Sequence, residues 1–386
     1  FQIAQDEGER GAEFVRGIGH EIAADDLANY SYRFLKLWSM IFFECDYAEG
    51  AHPKILEKMI ATNMEQTLGY SEDEYCNQAR TLIKNMCNAP HSDVHFLVGG
   101  TQTNTTVISS ILRPHQGVIC AESGHINIHE TGAIEARGHK VLPLPSSDGK
   151  ISAQQIENYC RSHWEDVTHE HIVQPGMVYI SFPTENGAIY SKSELQNIHN
   201  TCKKYELPLF VDGARLGYGL TAHNNDLTLE DFVMLTDVFY IGGTKVGALL
   251  GEAVVINNSA LKKDFRYLIK QQGGLLAKGR IIGIQFCTLF TENLYFEIAE
   301  KANKLAMQIH NAFAKKGIEF LYDSSTNQQF PILSNHEIEI LEKKYLFGFW
   351  KRIDQEYAAV RFCTSWATQS EHICQLTEDI EKLPNR

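Results

Sequence analysis

Leu209-Phe210-Val211-Asp212-Gly213-Ala214-Arg215 and, further along the chain, Phe239-Tyr240-Ile241-Gly242-Gly243-Thr244-Lys245 each read as a short apolar strand that stops at a charged residue. In an open α/β sheet, ligands lie beyond the carboxyl ends of the strands. An Asp and a Lys delivered there from two strands can therefore face one ligand.

Working outward from these two runs, strand-like segments occur at residues 94–98, 117–121, 139–144, 177–182, 207–211, 238–241 and 252–256. Most are separated by stretches of helical periodicity, among them 103–112, 153–160 and 192–204. Two helices are expected before the first strand, at 52–63, which opens with His-Pro, and at 73–87. Strands alternating with helices predict an α/β fold: a mostly parallel, seven-stranded sheet covered by helices on both faces. Near residue 260 the pattern changes to long helices at 260–271 and 281–316. Strand-like runs at 318–322, 345–349 and 358–362 and a last helix at 370–382 then predict a smaller α+β domain. The expected division is a large domain over 60–285, with 40–59 and 286–386 forming the small one. Residues 1–39 look foreign to the rest, and Met40 is the expected native start, although 21–37 would suit a short amphipathic helix.

The chain has 386 residues, 44% hydrophobic and 22% charged, an ordinary globular composition with length enough for two domains. Its formal net charge of -13 and the lack of any Lys/Arg cluster argue against nucleic-acid binding. Its apolar runs are too short to span a bilayer, and no basic region followed by an apolar one opens the chain. Nine cysteines scattered singly suit reduced thiols better than a disulfide framework or a zinc site. A cytoplasmic protein without membrane or nucleic-acid partners is the expectation, and no metal site is called for.

Two further segments carry chemistry. Gly99-Gly100-Thr101-Gln102-Thr103-Asn104 follows a strand and opens a helix, an arrangement whose backbone amides suit a phosphate. Taken alone it is equally a capped strand-to-helix turn. Glu122-Ser123-Gly124-His125 follows the next strand, and a His there could stack on an aromatic cofactor or relay protons. His91 and His95 straddle a loop-strand junction, and His169, Glu170 and His171 read as a solvated face. A phosphate loop, a stacking His, an Asp and a Lys in that order are hard to explain as four unrelated structural features. Together they suit pyridoxal phosphate, whose ring nitrogen wants a carboxylate and whose aldehyde wants an amine.

With these motifs the chain resembles the low-specificity L-threonine aldolases of the aspartate aminotransferase superfamily, the fold-type I pyridoxal-phosphate enzymes. The likeness runs from about Asp46 to the carboxyl terminus, and Asp212-Gly213-Ala214-Arg215 is its most specific piece. It implies a Schiff-base lysine at Lys245, a ring-nitrogen partner at Asp212, a stacking His125, and phosphate contacts from Gly100, Thr101 and Gln102. It also implies that Arg215 and Arg361 grip an amino-acid carboxylate, and that the protein is a homotetramer of two dimers with sites at subunit interfaces. The expected reaction is retro-aldol cleavage of L-threonine or L-allo-threonine to glycine and acetaldehyde, with His125 as the candidate base. The chain departs from the pattern in several places. Ala48 stands where a Ser is expected to meet the substrate carboxylate, with Tyr47 beside it as a candidate substitute. Glu185 in Thr184-Glu185-Asn186-Gly187 replaces a second His, and is a candidate polar participant. The turn Tyr70-Ser71-Glu72 lacks a glycine. The segment 273–280 would reach a neighbouring site through Lys278 or Arg280. Rival readings are another pyridoxal-phosphate lyase, an aminotransferase, or a disabled relative that holds cofactor without turnover.

Overall fold

The structure, a computed structural model, describes residues 40–384. The proposed extension and its short helix lie outside the described residues. The two deciding runs form adjacent strands, β6 (Leu209–Asp212) and β7 (Val238–Gly242), at the centre of a seven-stranded sheet. The others are β2 (Asp93–Leu97), β3 (Gln116–Ala121), β4 (Lys140–Leu144), β5 (Gln174–Ser181) and β8 (Glu252–Ile256), in the order β2-β8-β7-β6-β5-β3-β4. β3, β4, β5, β6 and β7 are mutually parallel, and only β8 runs antiparallel to its neighbours β7 and β2. The reason is the connection: a parallel neighbour needs a crossover, usually a helix, and residues 243–251 between β7 and β8 contain none.

The period-two alternation of the central strands decides what meets the site. Met177 and Tyr179 of β5, Phe210 of β6 and Val238 and Tyr240 of β7 belong to one cluster, with Val107, Ile108, Phe265 and Ile269 of two covering helices. Val178, Ile180, Val211, Phe239 and Ile241 join the opposite core with Ile156, Ile198 and Phe232. Asp212, two residues after Phe210, therefore shares the face of the two tyrosines.

The helix Lys192–Lys204 has the expected bounds because a capping box, Ser191 with Glu194, starts it. Glu206 at φ 55 follows its end. Other expectations are corrected. The helix foreseen over 281–316 is two, Arg280–Phe290 and Leu294–Lys315, broken where Glu292 and Asn293 take φ of 54 and 63. That left-handed pair cannot continue a right-handed helix. The helix foreseen from 260 starts at Phe265, after Asp264 at φ 61. Residues 318–322 make only an isolated bridge, Phe320 with Pro331, since proline has no N–H to extend a ladder.

The small domain's sheet is β1 (Ile41–Phe43), β11 (Tyr345–Arg352), β12 (Tyr357–Cys363) and β10 (Ile332–Ser334), with β9 (Gln328–Gln329) pairing β12. β1 lies parallel to β11, which puts Phe43 in the small core with Tyr345 and Phe362. That pairing carries Asp46 and Tyr47, just beyond β1, to the sheet ends of the large domain. No described helix is long and apolar enough to cross a membrane, and the described residues hold no cluster of three metal-ligating side chains.

Candidate active site

A cavity of about 890 Å³ opens beyond the carboxyl ends of β2, β3, β5, β6 and β7, where the small domain meets them. Asp212, Lys245, His125, Gly100, Thr101 and Arg361 all line it. Four sequence segments expected to share a ligand do converge.

Asp212 is buried, lines the cavity and accepts four hydrogen bonds. Its Oδ2 accepts from the Tyr179 hydroxyl at 2.6 Å and the Asn104 amide at 3.0 Å. Its Oδ1 accepts from the Tyr240 hydroxyl at 2.5 Å and the Ala214 N–H at 2.9 Å. Burial pushes its carboxyl up, but the charge of His125 and the two tyrosine hydroxyls outweigh it, so the net shift is downward and Asp212 stays ionised. Lys245 follows β7 through Gly243 and Thr244, and its backbone carbonyl accepts from the Tyr218 hydroxyl at 2.7 Å. Burial, and then the Arg215 guanidinium, push its amine below the usual lysine range, against the pull of Asp46, Asp212 and Glu252. A lysine so placed is more readily neutral, as a nucleophile must be.

His125 opens a single helical turn, His125–Ile128. Its N–H donates to Glu185 Oε1 at 2.8 Å, and its Nδ1 lies 2.8 Å from the buried Glu130 carboxylate. Burial lowers its proton affinity, but Glu130 and Asp212 more than reverse that and raise it. The Asn104 amide bridges Glu130, at 2.7 Å, to Asp212. His125, Glu130, Asn104 and Asp212 are thus one polar chain, buried except at its half-buried His125 end.

The helix Gly100–Ile111 begins at Gly99 with no side-chain cap, so its first amides remain open to an anion. Gly100 also needs its size, because a Cβ there would sit 3.3 Å from the Tyr240 hydroxyl. The Gln102 side chain turns away from this loop. Its carbonyl accepts from the Val98 N–H and its amide donates to the Gln272 carbonyl, both at 3.0 Å, making it a strut between two loops.

The two arginines differ. Arg215 turns Nε and Nη2 onto both oxygens of the buried Asp46, at 2.7 and 3.0 Å, and Asn327 also donates to Asp46. Arg361 donates through Nη1 to Gln328 and through Nη2 to the Glu44 carbonyl, while its buried Nε has no hydrogen-bond partner. The Arg361 side chain lines the cavity with its guanidinium over the Trp350 ring, a cation beside the place a ligand would occupy. Tyr47 lines the same cavity at 55% exposure, and Glu185 lines it with its Oε1 also accepting from the Ser181 hydroxyl at 2.7 Å. Burial raises the Glu185 carboxyl. Arg280 is committed to the Thr62 and Glu65 carbonyls, whereas Lys278 is exposed.

Sequence reading missed Asn104, Glu130, Tyr179, Tyr240, Asp46 and Glu252. Asn104 had a signal, being one helical turn from Gly100 on the same face. Tyr179 and Tyr240 had none, since a tyrosine in an apolar strand is ordinary core.

Comparison with known proteins agrees with this geometry. Residues 44–336 match the family model described as beta-eliminating lyase. A low-specificity L-threonine aldolase from a Pseudomonas species is 30% identical over 88% of this chain and 97% of its own length. The structure of a Leishmania major threonine aldolase superposes with a TM-score of 0.86 at 44% identity, covering 88% of this chain and 98% of that one. A Thermus thermophilus aspartate aminotransferase superposes at 0.66 with 12% identity, over 95% and 98% of the two chains, a likeness of fold alone.

Proposed function

Because the chain belongs to the beta-eliminating lyase family, we propose that it is a pyridoxal-phosphate-dependent aldolase that cleaves L-threonine and L-allo-threonine to glycine and acetaldehyde. The observation that carries this reading is the meeting of an ionised Asp212 and a lowered Lys245 in one cavity, beside an uncapped helix start. That donor set fits the cofactor. Asp212 would take the ring nitrogen, Lys245 the aldehyde carbon, His125 the ring face, and Gly100 and Thr101 the phosphate. Once bound, pyridoxal phosphate acts as a sink for the electron pair released as the Cα–Cβ bond breaks.

The rest falls to side chains. His125 has Nδ1 tied to Glu130, which leaves Nε2 to accept the β-hydroxyl proton. Arg361, on the cavity wall, would take the substrate carboxylate, with Arg215 as a second cation held in place by Asp46. Tyr47 and Glu185 complete the substrate wall, and Tyr47 takes the part of the absent serine at Ala48. Fixing the carboxylate orients the breaking bond, which is an effect of position rather than of chemistry.

The direct test is release of acetaldehyde and glycine from both threonine diastereomers by the protein saturated with pyridoxal phosphate. Equimolar products are expected, and no release from cofactor-loaded protein sinks the aldolase reading. Arg361→Ala is expected to raise KM roughly 10- to 100-fold, the worth of one or two charge-assisted hydrogen bonds. Unchanged kinetics would remove Arg361 from the site.

We also infer a cytoplasmic homotetramer. Nine unpaired cysteines support the compartment. Exposed Ile60, Met64, Leu68 and Tyr267, at 77, 89, 70 and 77% exposure, and the free Lys278 support the assembly. Sedimentation equilibrium should return four chains per particle, and a monomer mass would end that inference.

A further inference from the structure

Glu252 is a carboxylate that none of the roles above uses. It is the first residue of β8, paired on one side with Gly242 and on the other with Leu97. Both partner strands run directly into ligand loops, β7 into Gly243-Thr244-Lys245 and β2 into Val98-Gly99-Gly100. The carboxyl therefore lies at the sheet edge between the lysine and the open helix start, buried to 4% exposure yet lining the cavity. Its Oε2 accepts from the Gly243 N–H at 3.1 Å, and its Oε1 from the Thr244 hydroxyl at 2.9 Å. The Thr244 hydroxyl in turn accepts from the Gly251 N–H at 3.1 Å. The turn that presents Lys245 is thus fastened through this side chain.

The other carboxylates acting on Lys245 are compensated. Asp46 is held by Arg215 and Asn327, and Asp212 by two tyrosine hydroxyls, two N–H groups and the charge of His125. Glu252 has only one backbone N–H and one neutral hydroxyl. Its charged and titratable neighbours are Lys245, Asp212 across the cavity, Tyr240 of β7 and Tyr295 of the helix Leu294–Lys315. Burial pushes it up to about 8, against the Thr244 hydroxyl, Lys245 and the Gly243 N–H, which favour the anion, and Asp212 adds to the rise. Among the carboxylates that act on Lys245, it is therefore the one whose charge changes near neutrality.

We propose that Glu252 is a positioning residue for Lys245, one that fastens the turn carrying the lysine and whose charge adds to the pull of Asp46 and Asp212 on the amine. The sign follows from the pair. Ionised Glu252 stabilises the ammonium and raises the pH at which Lys245 becomes neutral; uncharged Glu252 leaves the amine neutral at lower pH. Loss of the lysine proton is thereby coupled to the protonation of Glu252.

The proposal rests on the reading of Lys245 as the cofactor's attachment point, and its test reads the amine itself. In the full chain without added cofactor, acetylation of Lys245 by acetic anhydride is followed against pH by peptide mass spectrometry. Glu252→Gln keeps the fastening, since its amide oxygen can accept from Gly243 and its NH2 can donate to the Thr244 hydroxyl, but it removes the charge. We expect the midpoint for Lys245 to fall by about one pH unit, a tenfold change in neutral amine at a fixed pH. Glu252→Asp shortens the reach but keeps the charge, and is expected to retain the wild-type midpoint. A purely structural role would disturb the Asp variant and leave the Gln midpoint where it was, and that outcome overturns the proposal. Because no cofactor or turnover enters the assay, its failure is separable from failure of the product-release test.

Discussion

Lys245→Ala is expected to abolish the visible absorption of bound cofactor and to lower threonine cleavage by a factor on the order of 10⁴ or more, as befits loss of a covalent nucleophile. The variant should still fold. The lysine backbone is held independently of its side chain by the Tyr218 hydroxyl on its carbonyl and by the turn bond from Val246 N–H to Gly243 O. Cofactor can still lodge against Asp212, His125 and the Gly100 helix start, but without a covalent bond. Absorption spectra before and after gel filtration give the answer. A visible band that survives filtration would mean that another amine carries the cofactor, and the whole site would need reassignment.

Asp212→Asn is expected to lower kcat/KM by roughly 10²- to 10⁴-fold, the scale of about 3 to 5 kcal/mol for breaking a buried charge pair. The substitution is nearly isosteric. Its amide oxygen can still accept from one tyrosine and from the Ala214 N–H, but its NH2 then faces other donors, the Asn104 amide among them. It also removes a fixed negative charge from the His125 environment. His125 carries a raised pKa in the native protein, so its neutral, proton-accepting form is complete only above that pKa. Without the charge of residue 212 the pKa falls, and the acid limb of the pH profile should move to lower pH even as the maximum collapses. A variant with native activity, or with a collapsed maximum and an unmoved acid limb, would contradict this account of Asp212.

The outcome at particular residues separates local from non-local information. Lys192–Lys204 was legible to its ends because its start signal, Ser191 with Glu194, lies within one turn. The break at Glu292 and Asn293 was not, because apolar periodicity runs through it and only the backbone conformation interrupts it. Gly100, Thr101, His125, Asp212 and Lys245 were legible because each follows a strand-like run, and strand ends in such a sheet point to one edge. Gln102 sits within the same motif, yet the loop after Phe265–Gln271 engages its amide, a contact no local pattern encodes.

From the sequence by itself came the alternating architecture, the mostly parallel seven-stranded sheet and the order phosphate loop, histidine, aspartate, lysine. All of these rest on short-range periodicity and on where a strand stops. Only the tertiary structure decided the environment that gives those groups their chemistry. Tyr179 and Tyr240 reach Asp212 because β5 and β7 flank β6 with side chains on one face. Asp46 meets Arg215 because β1 pairs with β11 in the small domain's sheet. Glu252 approaches the lysine turn because β8 inserts antiparallel between β2 and β7. Proton affinities follow burial and the charges brought near by such long-range pairings, so the residues of a site are readable locally while their protonation states are not.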